Sequence, residues 1–183
     1  MISEKQLSNT LSILVAVVAI AACAQLSISL PERVSVAPIT GQSLAVLVAA
    51  HLLRRRNATI AVLIYILLGA IGLPVYSDFS GGWELAMGKS SGYLIGFLIA
   101  ALVVGNMADN KNQRFKHYFL QLTVGHLIIL LCGGIGLLRF LDIGEAFSLG
   151  IKPFLPGGLV KIILGAILLS TYRRFMLLIN LDK

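Results

Sequence analysis

Lys161 is the residue whose type and setting most call for a chemical explanation. It stands in the stretch PFLPGGLVKIILGAILLSTYRR, from Pro153 to Arg174, among leucines, isoleucines and glycines. A charged side chain costs about 2.5 to 3.5 kcal/mol at the centre of a bilayer and less near its ends, so an ionisable residue within a span points by default to a functional site. Counted from Pro156, the lysine lies about five residues into a helix, or about 7.5 Å along its axis. Its flexible stem can also reach the membrane surface from there. Two readings therefore stand: a charge held for a ligand, or a charge that snorkels to water. No acidic residue lies within one turn of it on the same helix, so any partner comes from outer loops, from water or from an anionic ligand.

The remaining candidate groups do not assemble into an enzyme. The run GWELAMGKS, from Gly82 to Ser90, has the glycine, lysine and serine of a phosphate-binding loop in order. Its spacing is one residue off, a glycine is missing where Trp83 stands, and no strand precedes it. His51, His117 and His126 are spread over three segments with no acidic cluster in the helices, whereas metal chemistry needs several convergent ligands. His126 is the deepest of the three and is expected to bond to a neighbouring helix. No nucleophile with a base and no carboxylate pair emerges, so the chain reads as a non-enzyme without a cofactor.

The elements that must position Lys161 follow from composition. Among 183 residues, 57% are hydrophobic and only 13% charged, which excludes a soluble domain with a polar surface and predicts a membrane protein. Apolar runs of suitable length predict six transmembrane helices, about Asn9 to Leu26, Gly41 to Leu53, Ala58 to Leu73, Gly92 to Met107, Tyr118 to Leu138 and Pro156 to Leu178. The second is short for a full crossing and is expected to lean on its neighbours. Pro31 and Pro38 make the segment SISLPERVSVAPIT a loop; a longer one, LPVYSDFSGGWELAMGKSS, follows the third helix, and the connection from Asp142 to Pro153 precedes the sixth.

Charge sets the orientation. The net charge of +7 is distributed as short clusters between apolar runs, which is a membrane-topology signature and not a groove for nucleic acid. With the N-terminus inside, Lys5, Arg54, Arg55, Arg56, Lys111, Arg114, Lys116, Arg173, Arg174 and Lys183 are cytoplasmic. Arg33, Lys89, Arg139 and Lys152 are then outside, a bias of ten to four that places both termini in the cytoplasm. Acids run the other way: Glu4, Asp109 and Asp182 inside, Glu32, Asp78, Glu84, Asp142 and Glu145 outside. Cys23 and Cys132 lie in apolar runs and read as packing residues. The leader MISEKQLSNT lacks a strongly basic n-region, so the first helix is read as retained. On that helix Ser8, Ser12 and Ala16 form a smooth stripe at interval four, suited to close helix contact, within this chain by spacing alone.

Three pieces carry a resemblance: APITGQSLAVLVAAHLL (Ala37 to Leu53), LLGAIGLPVYSDFSGGWELAMGKSSGYLIGFLIAALVVG (Leu67 to Gly105) and LGIKPFLPGGLVKIILGAILL (Leu149 to Leu169). They resemble the BioY family, the biotin-capturing S components of energy-coupling factor (ECF) transporters, over nearly the whole chain. The middle piece is the most specific, with Gly-Leu-Pro-Val, then serine-glycine-glycine, then Gly-Tyr opening a helix. The resemblance implies an all-α integral membrane protein of the ECF S-component fold, one membrane domain over residues 1–183, multi-pass in the plasma membrane. It implies biotin as ligand in a pocket near the outer face, and as partners membrane lipid, a membrane coupling protein and two cytoplasmic ATPases.

In that family a serine or asparagine of the glycine-rich loop and an acid-x-x-lysine pair opening the sixth helix help to hold biotin. Ser80 and Lys161 match, while Gly158 stands where the acid is expected and Lys89-Ser90-Ser91 departs from the usual loop. Lys161 is then expected to meet either the ureido oxygen or the carboxylate. Asp78, Ser80, Glu84 and the backbone carbonyls of Gly81 and Gly82 are candidates for the ureido N–H groups, and Tyr93 and Trp83 for covering the rings. The resemblance also turns Ser12 and Ala16 into expected docking residues for the coupling protein. The alternatives are an S component for a different vitamin or heterocycle, favoured by Gly158, and a non-transporting membrane scaffold.

Overall fold

The structure, a computed structural model, describes residues 4–28, 30–108 and 114–181. Asp109, Lys111, Asp182 and Lys183, which enter the charge count above, lie outside the described residues, as do residues 1–3 of the leader, Ser29 and the side chain of Lys5.

The described chain is mostly helical. Helix α1 (Glu4–Ala24) is followed by two short strands, β1 (Ser27–Ile28) and β2 (Ile39–Thr40), then by α2 (Gln42–Ala70), α3 (Trp83–Met87), α4 (Ser91–Met107), α5 (Phe115–Leu137), α6 (Ile143–Gly150) and α7 (Phe154–Leu181). All six segments expected to be helical are so. The second and third follow one another without a loop, joined at Arg54, whose φ of 61° and ψ of 177° leave helical geometry. Such a backbone costs a non-glycine residue about 1 to 3 kcal/mol. It reverses the chain: Gln42 Nε2 donates to the Tyr65 hydroxyl at 2.7 Å, twenty-three positions further on, so the two halves of α2 run antiparallel. Helix α4 passes under this reversal so closely that a Cβ on Gly105 would lie 2.6 Å from the Arg55 nitrogen.

The expected loops have structure of their own. Strands β1 and β2 pair antiparallel, Ser27 with Thr40 and Ile28 with Ile39, and close the segment that Pro31 and Pro38 interrupt. The loop after α2 holds a 3-10 turn (Ser77–Phe79) and α3. The connection before α7 folds as α6, capped by Asp142, whose carboxylate accepts from the Glu145 nitrogen at 2.8 Å. Pro156 falls in the first turn of α7, where its missing N–H is not needed.

Packing runs in series, α1 on α2, α2 on α4, α4 on α5 and α5 on α7. Ile20, Tyr65, Leu122, Leu137 and Leu169 are fully buried at the centre. Three helical stretches, Gln6–Ala24, Phe115–Leu137 and Phe154–Ile179, are long and apolar enough to cross a bilayer. Their outward faces expose large apolar side chains, among them Leu14, Val18, Leu131, Ile135, Leu164 and Leu168. Hydrocarbon solvates such faces without penalty, and water does not.

The two ends of the bundle differ. At one end the α2 reversal meets the start of α5: His51 packs edge-on against Tyr118, with ring centroids 5.0 Å apart, and Arg173 lies close enough to act on Tyr118 electrostatically. Arg54, Arg55, Arg56, Arg114, Lys116 and Arg173 therefore share this end. The opposite end is built from the strand ladder, the 3-10 turn, α3, α6 and the first turns of α4 and α7, and it holds the cavity described next.

Candidate functional site

Lys161 projects inward. Its Nζ donates to the Ser43 Oγ at 3.0 Å, linking α7 to the first turn of α2 across 118 positions of sequence. The contact answers the question posed by its position: the ammonium crosses to another helix and does not follow α7 to the surface. Lys161 and Ser43 line a cavity enclosed by the first turns of α2 and α7 and by facing residues of α4 and α5. Among the described residues no carboxylate lines it; its polar groups are Thr40, Gln42, Ser43, Ser77, Ser90, Tyr93, His126 and Lys161, against an apolar wall of Leu94, Phe97, Ile129, Leu130 and Phe154.

The wall is held by bonds that face away from the space. The Tyr93 hydroxyl donates to the Gly150 carbonyl at 2.5 Å, and its ring lies 5.7 Å from that of Phe154 at a tilt of 52°. Gln42 spends its donor on the Tyr65 hydroxyl, which in turn donates to the Val75 carbonyl at 3.1 Å.

His126 departs from expectation. It is 5% exposed, yet neither ring nitrogen makes a hydrogen bond to any described residue. No side chain of the neighbouring helix bonds to the ring, because the neighbour is Gly158, whose position offers none; a Cβ there would fall within the imidazole. The Phe154 backbone approaches the ring as a weak hydrogen-bond partner short of full geometry, and the Lys161 ammonium acts on it electrostatically.

The glycine-rich loop lies beside the cavity. The Ser80 hydroxyl donates to the Ser77 carbonyl at 2.6 Å and lines a smaller hollow that shares Gln42, Ser77, Ser90 and Leu94 with the cavity. Gly81 packs against the Leu73 carbonyl. Gly82, at φ 117°, donates its N–H to the Gly69 carbonyl at 2.7 Å, a backbone setting that favours glycine. Asp78 accepts from the Ser27 hydroxyl on the exposed side of the loop. Trp83, 65% exposed, and Glu84 stand on the outer face of α3. Of the expected ligand contacts, the structure therefore brings Lys161 and Tyr93 to the cavity and Ser80 to its annex. It leaves Asp78, Gly81, Gly82, Trp83 and Glu84 off the lining.

The residue that follows α1 fixes this loop from outside. Gln25 donates to the Tyr76 carbonyl at 3.0 Å and accepts from the Phe79 nitrogen at 2.8 Å. Tyr76 donates its hydroxyl to the Ile66 carbonyl at 2.7 Å, and burial pushes its phenol up to about 12. Further along α1, Ser12 and Ala16 line a separate apolar groove shared with α2 and α7. Ser12 is half-buried and donates to the Ser8 carbonyl at 2.9 Å. Ala16 is 6% exposed, packed in the groove's floor.

Neither the role of Ser43 nor the open side-chain bonding of His126 is legible in the sequence. The first is a common small polar residue opening a helix and gives no local signal. The second sits in an apolar run, as satisfied core histidines do.

Comparison with known proteins places these features in a family. The model of the BioY family matches residues 1–177. The biotin transporter BioY of Thermotoga maritima is 38% identical over 133 residues, 72% of this chain and 78% of that protein. The probable biotin transporter BioY of Pyrococcus horikoshii is 36% identical over 138 residues, 75% and 79% of the two chains. That of Rickettsia prowazekii is 31% identical over 162 residues, 88% and 81%. In fold, the chain is similar to the S-component for biotin from an ECF-type ABC transporter, solved by crystallography, with a TM-score of 0.82 at 24% identity over 95% of each chain.

Proposed function

The chain belongs to the BioY family, and from that premise we propose that it is a membrane subunit that captures biotin for uptake, working with an ATP-driven ECF module. Biotin presents a mostly apolar fused ring system, a ureido group with N–H donors and a carbonyl acceptor, and a carboxylate on a flexible tail. A buried pocket must answer each polar group or lose about 1 to 3 kcal/mol for one left unpaired. The observation that carries the reading is the Lys161 ammonium turned into the cavity on Ser43. It provides the donor that either the ureido oxygen or the carboxylate requires. Tyr93, Phe97 and Phe154 supply the apolar and aromatic surface for the rings.

In this reading the chain crosses the plasma membrane six times. The two halves of α2 and α4 are the shorter crossings, and both termini are cytoplasmic. The clustering of arginines at the end opposite the cavity supports it, since basic residues favour the cytoplasmic side. The cavity then opens outward, where a scarce vitamin is met. In the same reading Ser80 and the Gly81-Gly82 turn shape its rim, and Asp78, with Trp83 and Glu84 on the exposed face of α3, meets the ligand as it enters. Ser12 and Ala16 dock the coupling protein along the α1 groove, and two cytoplasmic ATPases drive release.

The test is equilibrium binding of a vitamin panel to the purified subunit in detergent. Saturable binding of biotin below micromolar concentration, with other vitamins excluded, is expected. Indifference to biotin at micromolar concentration overturns the reading, and preference for another heterocycle would move the chain to a different substrate.

A further inference from the structure

The cavity contains a polar group whose hydrogen-bonding capacity the protein leaves unused. His126 is 5% exposed and lines the cavity beside Lys161, and both of its ring nitrogens are without a hydrogen bond to any described residue. An unpaired buried polar group costs about 1 to 3 kcal/mol, and a polar side chain kept at that cost marks a site where something else completes the bond. The ring is also given room at the expense of its neighbour. Position 158 lacks a side chain, and the place its Cβ would take lies within the imidazole.

We propose that His126 is a specificity-determining ligand contact, whose ring nitrogen accepts an N–H of the ligand's cyclic urea while Lys161 donates to the adjacent carbonyl. The assignment rests on the reading of the chain as a biotin-capturing subunit. An imidazole nitrogen without a proton is an acceptor and an ammonium is a donor only. A cyclic urea presents a carbonyl flanked by N–H groups, so an acceptor and a cation standing side by side match one edge of it. Among the described residues no carboxylate lines the cavity, and His126 is the lining side chain whose buried polar atoms make no hydrogen bond within the protein. The ligand's carboxylate is then directed away from this pair, toward the half-buried Thr40, Ser77 and Ser90, whose hydroxyls also line the cavity.

The test measures dissociation constants of biotin, biotin methyl ester and biotin methylated on a ureido nitrogen for wild-type protein, His126→Leu and His126→Gln. His126→Leu is expected to weaken biotin about tenfold or more, the loss of one buried hydrogen bond. Glutamine, which keeps an acceptor, is expected to hold affinity within about threefold of wild type. The methyl ester should lose as much as biotin does in the leucine variant. The N-methylated compound, which has lost the N–H, should lose far less, because two changes to one bond are not additive. Biotin bound within threefold by His126→Leu overturns the assignment, as do equal losses for biotin and the N-methylated compound. Should the leucine variant fail to fold, His126→Gln decides: a tenfold loss there overturns the assignment, and retention supports it. Wild-type protein that ignores biotin overturns the underlying reading instead, so the two failures are distinguishable.

Discussion

The imidazole of His126 stands where a side chain on Gly158 would have to go. The two positions are thirty-two apart in sequence and on different helices, α5 and α7, so the choice at one constrains the choice at the other. This relationship gives physical content to the glycine at the position where the family resemblance leads one to expect an acid: an aspartate there and the present histidine ring cannot share the space.

Gly158→Asp alone is therefore expected to destabilise the protein, since overpacking a formed interior costs about 1 to 3 kcal/mol. In a thermal-shift measurement in detergent this corresponds to a fall of about 2 to 10 °C. Combined with His126→Ala the same substitution should be tolerated, with most of the loss recovered. A single substitution without effect would mean that the ring moves aside freely.

Ser43 holds the Lys161 ammonium at 3.0 Å and is expected to act by orienting it. Ser43→Ala should weaken biotin about 2- to 10-fold, the range for one hydrogen bond of ordinary strength. Titration calorimetry reads this directly, and an unchanged affinity would show that the ammonium needs no such support.

Close contacts at two glycines separate stability from binding. A Cβ on Gly105 would lie 2.6 Å from the Arg55 nitrogen, at the end away from the cavity, whereas one on Gly133 would enter the Tyr93 ring that lines the cavity. Both Gly105→Ala and Gly133→Ala should lower the thermal midpoint. Only Gly133→Ala should also weaken biotin, because it displaces the wall. Equal effects of the two on binding would contradict the placement of Tyr93.

The orientation is open to reporter fusions. A periplasmic-type phosphatase joined after Lys183 should be inactive, and the same enzyme inserted in the exposed loop near Phe79 should be active. The reverse pattern would put the cavity on the cytoplasmic side and remove its role in capture from outside.

Much of the architecture was legible in the sequence because hydrocarbon crossings impose length and composition locally. The six helical segments follow from apolar runs, and the α2 reversal falls at the arginine cluster that the positive-inside argument singled out. Lys161 was legible for the same reason, as a charge that contrasts with everything around it. What escaped depends on contacts between distant positions. Nothing near Ser43 signals a lysine 118 positions away. Nothing near His126 signals that its neighbour is a bare glycine, so it read as a satisfied core histidine. The exposed side of the loop, with Asp78 on Ser27 and Trp83 facing outward, was likewise invisible, because a loop's composition does not fix which way its side chains turn.

The most direct measurement compares biotin binding by the wild-type subunit and by Lys161→Met, both shown to be folded by an unchanged thermal midpoint. The cavity as described predicts saturable wild-type binding and a loss of about 10- to 100-fold in the variant, the worth of a hydrogen bond from a charged donor. Equal affinity in the two proteins would contradict it, leaving the ammonium on Ser43 as a packing contact with no part in holding the ligand.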